Sequence, residues 1–229
     1  MHICGLQKVT LLDFPEKVAC TIFTGGCNMR CPFCHNASLI SSIRGVISLE
    51  NIFAYLERRR GVLDAVCISG GEPLMQTDLL SFITRVKDMG YLVKLDTNGS
   101  FPKALAQMLE DNLLDYVAMD IKSSLAEYGK VVGKADFDTT PIRESVELLL
   151  KNTVRYEFRT TLVRPLHTKE SIRGAAELIC GAERYFLQSF AASPDILAPA
   201  GLSAFSLSQM REFLEIAAPY VKNVYLRET

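Results

Sequence analysis

Hydrophobic and polar positions along the chain alternate between two patterns. Short apolar runs rich in β-branched and aromatic residues are followed by longer stretches with apolar residues at i, i+3, i+4 and i+7, the mark of a helix with one buried face. Val18 to Phe23, Ala65 to Ser69, Tyr91 to Leu95, Tyr116 to Asp120, Arg155 to Leu162 and Arg184 to Gln188 read as strands. Between them, Leu49, Ile52, Phe53 and Leu56 draw a helical face behind a capping Ser48, and Leu79, Phe82, Ile83 and Val86 a second behind Asp78. Lys103 to Leu109 gives a short helix, and Ile142, Val146, Leu149 and Leu150 the next face. Ile172, Ala175, Ala176 and Ile179 mark another helix, and Leu207, Met210, Leu214 and Ala217 the last, with Asn223 to Leu226 a candidate terminal strand. Residues 1–17 read as a lead-in in which Val9 to Leu12 extend and Asp13-Phe14-Pro15-Glu16 turns.

Buried strands joined by amphipathic helices predict an α/β fold with a parallel sheet and helices outside it. Connections are short and no repeat or linker divides the chain, so one domain over residues 1–229 is expected. Periodicity leaves open whether the sheet is doubly wound or rolled into a barrel. In both, chemistry belongs at the C-terminal strand ends.

Composition narrows the class. A chain of 229 residues should bury roughly 70–75% of its unfolded surface, enough for a core without staples. A formal net charge of −1 gives no electrostatic case for nucleic acid or an anionic membrane as partner. No basic-then-apolar leader and no membrane-length apolar run is visible, so the expected compartment is the cytoplasm, where thiols stay reduced. Arg58-Arg59-Arg60 before Gly61 reads as a solvated last helical turn.

Three of the seven cysteines fall in Cys27-Asn28-Met29-Arg30-Cys31-Pro32-Phe33-Cys34, just past the strand break at Gly25 and Gly26. Three thiolates are one short of the usual four around an iron–sulfur cube, which leaves one iron open to a substrate. A structural zinc knuckle with His35 as fourth ligand is the plainer alternative, though adjacent Cys34 and His35 would have to turn inward together. Cys4, Cys20, Cys67 and Cys180 are scattered and read as packing residues. Of the other histidines, His167 begins a helix and reads as a surface residue, so no histidine-based acid–base set is visible.

Further chemistry sits at strand ends. Gly70 and Gly71 let backbone approach a ligand closely, and Glu72 places an acceptor beside them. Asp96-Thr97-Asn98-Gly99 has the form of an Asx turn, and Asp120 with Lys122 that of a surface pair. Arg159 interrupts an apolar run and must meet an anion, either a ligand's or that of a nearby acid.

The cysteine spacing, with aromatic Phe33 before the third cysteine, resembles that of the radical S-adenosylmethionine (SAM) enzymes. Asp96-Thr97-Asn98-Gly99 and Asp120-Ile121-Lys122 resemble motifs of the activating enzymes for glycyl radical enzymes. Gly5-Leu6-Gln7-Lys8, Asp13-Phe14-Pro15, Cys34-His35-Asn36 and Leu187-Gln188-Ser189-Phe190 resemble the longer activating proteins of anaerobic ribonucleotide reductase. The resemblance implies a partial (β/α)6 TIM-like barrel in which Cys27, Cys31 and Cys34 hold a [4Fe–4S] cluster. It implies SAM bound by Phe33, Gly70, Gly71, Glu72, Asp96, Asn98, Arg159 and Gln188, with its amino group at the Gly-Gly-Glu-Pro loop and its carboxylate near Arg159. Asp96, Thr97 and Asp120 would ligate a monovalent cation, Ala118 contributing only a carbonyl, and Asp120 and Lys122 are the catalytic candidates. The implied partners are a glycyl radical enzyme, foremost anaerobic ribonucleotide reductase, and a flavodoxin- or ferredoxin-type electron donor. The alternatives are an activase for a pyruvate formate-lyase-like enzyme, a radical SAM enzyme acting on a small molecule, and a non-catalytic iron–sulfur or zinc binding protein.

Overall fold

The apolar runs form an eight-stranded sheet in a computed structural model that describes residues 1–41 and 45–227. The strands are β1 (Ile3–Thr10), β2 (Ala19–Thr24), β3 (Ala65–Gly70), β4 (Leu92–Thr97), β5 (Tyr116–Asp120), β6 (Arg155–Leu162), β7 (Tyr185–Ser189) and β8 (Val224–Arg227). Their spatial order is their sequence order. β1 runs antiparallel to β2, and every later neighbour pair is parallel.

The helices are α1 (Ala37–Ile40), α2 (Leu49–Arg58), α3 (Leu79–Asp88), α4 (Pro102–Glu110), α5 (Tyr128–Val131), α6 (Thr140–Leu150), α7 (Lys169–Leu178) and α8 (Leu207–Ala217). Six of them, α2, α3, α4, α6, α7 and α8, are the crossovers between consecutive parallel strands, and α1 and α5 are single turns in loops. A doubly wound sheet reverses its strand order at a switch point, whereas here each crossover steps one strand in the same direction. The sheet ends at β1 and β8 without pairing them to each other among the described residues. It is a partial barrel, as the resemblance implies.

Helix starts follow their caps where the cap is free to act. The Ser48 side chain accepts from the Asn51 N–H at 3.3 Å, and Thr168 and Ser206 each close a capping box. Asp78 does not cap α3: its carboxylate is taken by the N-terminal ammonium of Met1. The lead-in also departs from expectation, because the paired segment is Ile3–Thr10, while Leu11 and Leu12 lie beyond it, 70% and 91% exposed. An edge strand carrying Gly5, Gln7 and Lys8 lacks the apolar run by which central strands are read. Of the scattered cysteines, Cys20 and Cys67 are packing residues, but Cys4 is half-buried and Cys180 exposed. No helix among the described residues is long and apolar enough to cross a membrane.

A large core joins the helices to the outer face of the sheet, and a small second core lies inside the curve. Phe14, Ala19, Ala65, Cys67 and Tyr116 form this inner cluster, with Leu92 against it. Ala19 pairs with Ala65, Ala65 with Leu92, and Cys67 with Lys94, so the cluster floors the lumen near the N-terminal strand ends. The Asp13-Phe14-Pro15-Glu16 turn thus delivers a plug: Phe14 is 2% exposed with its ring 5.8 Å from that of Tyr116. Phe14→Ala should therefore lower the unfolding free energy by about 3–5 kcal/mol, as buried aromatic truncations do, measurable by urea denaturation at constant pH.

Candidate active site

Every parallel strand that carries a sequence motif ends on the same rim. Cys27, Cys31 and Cys34 follow β2, Gly70 and Gly71 close β3, and Asp96, Thr97 and Asn98 end β4. Asp120 and Lys122 end β5, Arg159 comes from β6 and Gln188 from β7. All line one cavity of about 420 Å³, as does the mostly buried Phe33. That lies within the roughly 300–1,000 Å³ of small-ligand sites. Glu72, expected among them, does not line it.

The cysteine loop is held by backbone on both sides. Gly26 adopts φ +87°, which only glycine takes without strain, and its N–H donates to Leu39 O at 2.8 Å. Arg30 N–H donates to Val132 O at 2.9 Å, and from the C-terminal third Ala198 N–H donates to Pro32 O at 2.9 Å. Residues 191–205, silent in the sequence, are thus part of the loop's support.

Burial pushes the Cys31 thiol up to about 12, with Lys122 pulling against it, and raises Cys27 as well. Free thiolates are disfavoured here, and the positive charge of bound iron is what would deprotonate them. Among the described residues no three His, Cys, Asp or Glu side chains converge closely enough to hold a single metal ion. His35, the fourth ligand of the alternative zinc knuckle, packs its ring 5.7 Å from Phe190. Three thiols on one cavity wall fit a polynuclear cluster with an open iron.

Gly70, which ends β3, and Gly71 also make a close approach within the chain. A Cβ on Gly71 would sit 1.9 Å from Gly26 O, and one on Gly70, at φ +117°, 2.4 Å from both Thr24 N and Thr24 O. The close approach is between two segments of the chain itself. Glu72 N–H also donates to Gly26 O at 2.8 Å, and the Asn36 side chain to Gly70 O at 3.1 Å.

Glu72 itself turns inward and is 0% exposed. Its Oε1 accepts from the Thr97 hydroxyl at 2.8 Å and Leu74 N–H at 3.1 Å, and its Oε2 from Asn98 N–H at 2.7 Å. Burial pushes this carboxyl up to about 7 against the pull of the three donors. Asn98, so placed, donates from Nδ2 to Asn28 Oδ1 at 2.8 Å and to Cys27 Sγ at 3.9 Å, and Met29 N–H donates to the same sulfur at 3.4 Å.

The same cavity is lined by a row of alternating charge. Lys94 and Asp96 share the lumen face of β4 and are paired. Arg159 Nε donates to Asp120 Oδ1 at 2.9 Å, its NH1 lies 3.5 Å from Asp96 Oδ2, and Lys122 Nζ donates to Asp120 Oδ2 at 2.9 Å. Burial alone would raise both carboxyls, but the basic groups outweigh it: Arg159 and Lys94 hold Asp96 low, and Arg159 and Lys122 hold Asp120 further below the carboxylate range. Arg159 thus meets acids of β4 and β5, while Glu157 is taken by the Tyr116 hydroxyl at 2.8 Å and by Arg227 at 3.2 Å. The Asp120–Lys122 pair is part-buried and belongs to this row rather than to the outer surface. Thr97, an expected cation ligand, commits its hydroxyl hydrogen to Glu72.

His167 was legible only as a surface residue, and it is 3% exposed. Its Nδ1 accepts from Val163 N–H at 3.0 Å, which leaves Nε2–H to donate to Lys122 O at 2.8 Å, and burial lowers its pKa, in keeping with a neutral ring. It stands 6.1 Å edge-on to Phe33, over whose ring Lys122 Nζ lies at 6.0 Å.

The sequence model of the radical SAM superfamily matches residues 21–179. A putative glycyl-radical enzyme activating enzyme of Methanocaldococcus jannaschii is 32% identical over 98% of this chain and 95% of its own. The pyruvate formate-lyase-activating enzyme of Clostridium pasteurianum is 28% identical over 78% of this chain and 76% of its own. In fold, the crystal structure of Streptococcus suis SuiB bound to its precursor peptide SuiA superposes with a TM-score of 0.72 at 13% identity, over 95% of this chain and 49% of that one.

A carboxyl whose folded pKa stands above its ordinary value of 4.5 stabilises the fold fully below that pH, and the contribution is lost as pH rises through about 7. Between those limits the wild type should lose on the order of 1–3 kcal/mol of stability that Glu72→Gln does not. Urea unfolding of both proteins across that range checks it, and parallel pH profiles would show a Glu72 that is ionised throughout.

Proposed function

The chain belongs to the radical SAM superfamily and to its glycyl-radical enzyme activating family, and we propose that it installs the radical on the anaerobic class of ribonucleotide reductase. The observation that carries this reading is one cavity lined both by three thiols and by a paired acid–base row. The choice of partner is supported by the residues resembling that group of activases, from Gly5-Leu6-Gln7-Lys8 to Leu187-Gln188-Ser189-Phe190.

Cys27, Cys31 and Cys34 are the proposed ligands of a [4Fe–4S] cluster. When reduced, that cluster supplies the single electron that splits the sulfonium carbon–sulfur bond of SAM, leaving a carbon radical able to take a hydrogen atom from glycine. The protein's part is placement and exclusion of water. Arg159 and Lys122 carry N–H groups at the rim for the SAM carboxylate, and each is already steadied by Asp120. Asn98 and the Met29 N–H steady the Cys27 sulfur. Gln188 and Thr161 face the cavity from β7 and β6, and the Phe14–Tyr116 floor closes the lumen from below. The partner must offer its glycine on a flexible loop that enters from the rim. Glycine suits that part, having no side chain to crowd the approach. A small flavodoxin- or ferredoxin-type protein is the proposed reductant, and the chain acts as one domain.

Cys27→Ala, Cys31→Ala and Cys34→Ala should each lose the stable cluster, while Cys180→Ala keeps its visible absorbance. Mixing the cluster-loaded protein, reductant and SAM with the anaerobic ribonucleotide reductase should give a long-lived glycyl radical, read as an EPR doublet. Deuterium at the partner's glycine Cα should then appear in 5′-deoxyadenosine. Cleavage of SAM with neither signal would replace this partner with another glycyl radical enzyme or a small molecule.

A further inference from the structure

The monovalent cation that the resemblance places at Asp96, Thr97 and Asp120 does not fit the residues present. The Thr97 hydroxyl gives its hydrogen to Glu72 at 2.8 Å and accepts the Gly99 N–H at 3.1 Å. Both Asp120 oxygens are hydrogen-bonded, one to Arg159 and one to Lys122, each at 2.9 Å. Asp96 is bonded to Lys94 through one oxygen and faces Arg159 at 3.5 Å through the other.

Lys94 is fixed in that position by what lies beneath it. It is 3% exposed, and its cross-strand neighbours on the lumen face are Cys67 and Tyr116, 0% and 1% exposed. Those two belong to the mostly apolar floor with Phe14, Ala19 and Ala65, whose one hydroxyl, that of Tyr116, is given to Glu157 at 2.8 Å. A buried ammonium group without an anion is strongly disfavoured, and the anion Lys94 is paired with is Asp96.

We infer that the Lys94 ammonium takes the place of a metal cation in this site, so that ligand binding needs neither sodium nor potassium. The row holds three basic groups, Lys94, Arg159 and Lys122, against two carboxylates, Asp96 and Asp120. It therefore carries one net positive charge before any ligand arrives. A metal cation added there would make that two, in surroundings that screen poorly. One carboxylate of a ligand brings it to zero, a point that rests on the proposed binding of SAM. Without Lys94 the row is neutral, and the same ligand would leave it one charge negative, the condition in which a metal cation becomes useful.

The test compares wild type, Lys94→Met and Lys94→Arg in potassium, sodium and choline chlorides at matched ionic strength, which removes general screening. SAM affinity of the cluster-loaded protein is read from the change in the reduced cluster's EPR spectrum. Wild type and Lys94→Arg should bind SAM equally in all three salts. Lys94→Met should bind about tenfold more weakly in choline, a loss of one RT ln 10 step, and recover in sodium or potassium in a saturable way. The melting temperature of the cluster-free chain gives a second readout: sodium or potassium should raise it over choline in Lys94→Met alone. Wild-type SAM binding that requires sodium or potassium overturns the inference, as does a Lys94→Met protein whose melting ignores the cation. Should SAM bind in no salt, the functional reading falls, and the melting comparison still decides the role of Lys94.

Discussion

The site depends on one buried carboxylate. Glu72 collects a hydroxyl hydrogen from Thr97, the N–H of Asn98 and the N–H of Leu74, and so ties the loop after β3 to the loop after β4. Asn98 carries the tie onward to Asn28 and the Cys27 sulfur in the loop after β2. Three consecutive strand ends are thereby fixed relative to one another by side chains that are themselves fully hydrogen-bonded. A buried network of this kind holds a geometry that exposed loops could not, because a lost partner would leave a charge or dipole unsatisfied.

The alternating row does for β4 to β6 what Glu72 does for the loops after β2, β3 and β4. Neighbouring parallel strands put Asp96, Asp120 and Arg159 at adjacent levels of the lumen, and the ion pairs follow from register. The lumen is floored by Phe14 and Tyr116, and Asp96, Asp120, Lys122 and Arg159 line the cavity above it. Ligand recognition and the solvation of these side chains are therefore one problem.

Much of this was legible in the sequence, for reasons that differ by element. Parallel strands are buried on both faces, so β2 to β7 stand out as apolar runs, and the helices stand out by their stripe. β1 did not, because an edge strand with Gly5, Gln7 and Lys8 has only one neighbour to satisfy. The cysteine spacing and the strand-end motifs named loops that line one cavity. What spacing could not give was direction: Glu72 faces its Thr97 and Asn98 donors rather than the cavity, and Gly71, which lines the cavity, also packs against Gly26. His167 gave no signal, since its burial depends on Phe33 and the Lys122 carbonyl, both distant in the chain. Lys94 did give one. A lysine two residues before an aspartate, inside Leu92-Val93-Lys94-Leu95-Asp96, puts two charges on one face of a buried strand, where they must find each other.

The contact between Gly71 and Gly26 bears on how such sites can be exchanged between proteins. At this contact the two segments meet backbone to backbone, Gly71 and Glu72 donating to the carbonyls of Thr24 and Gly26, with no room for a Cβ at Gly71. Their fit is set by the path of the chain and not by any pair of side chains. A cysteine loop grafted here from a relative would have to bring its own post-β3 turn with it, because the two are halves of one movable part.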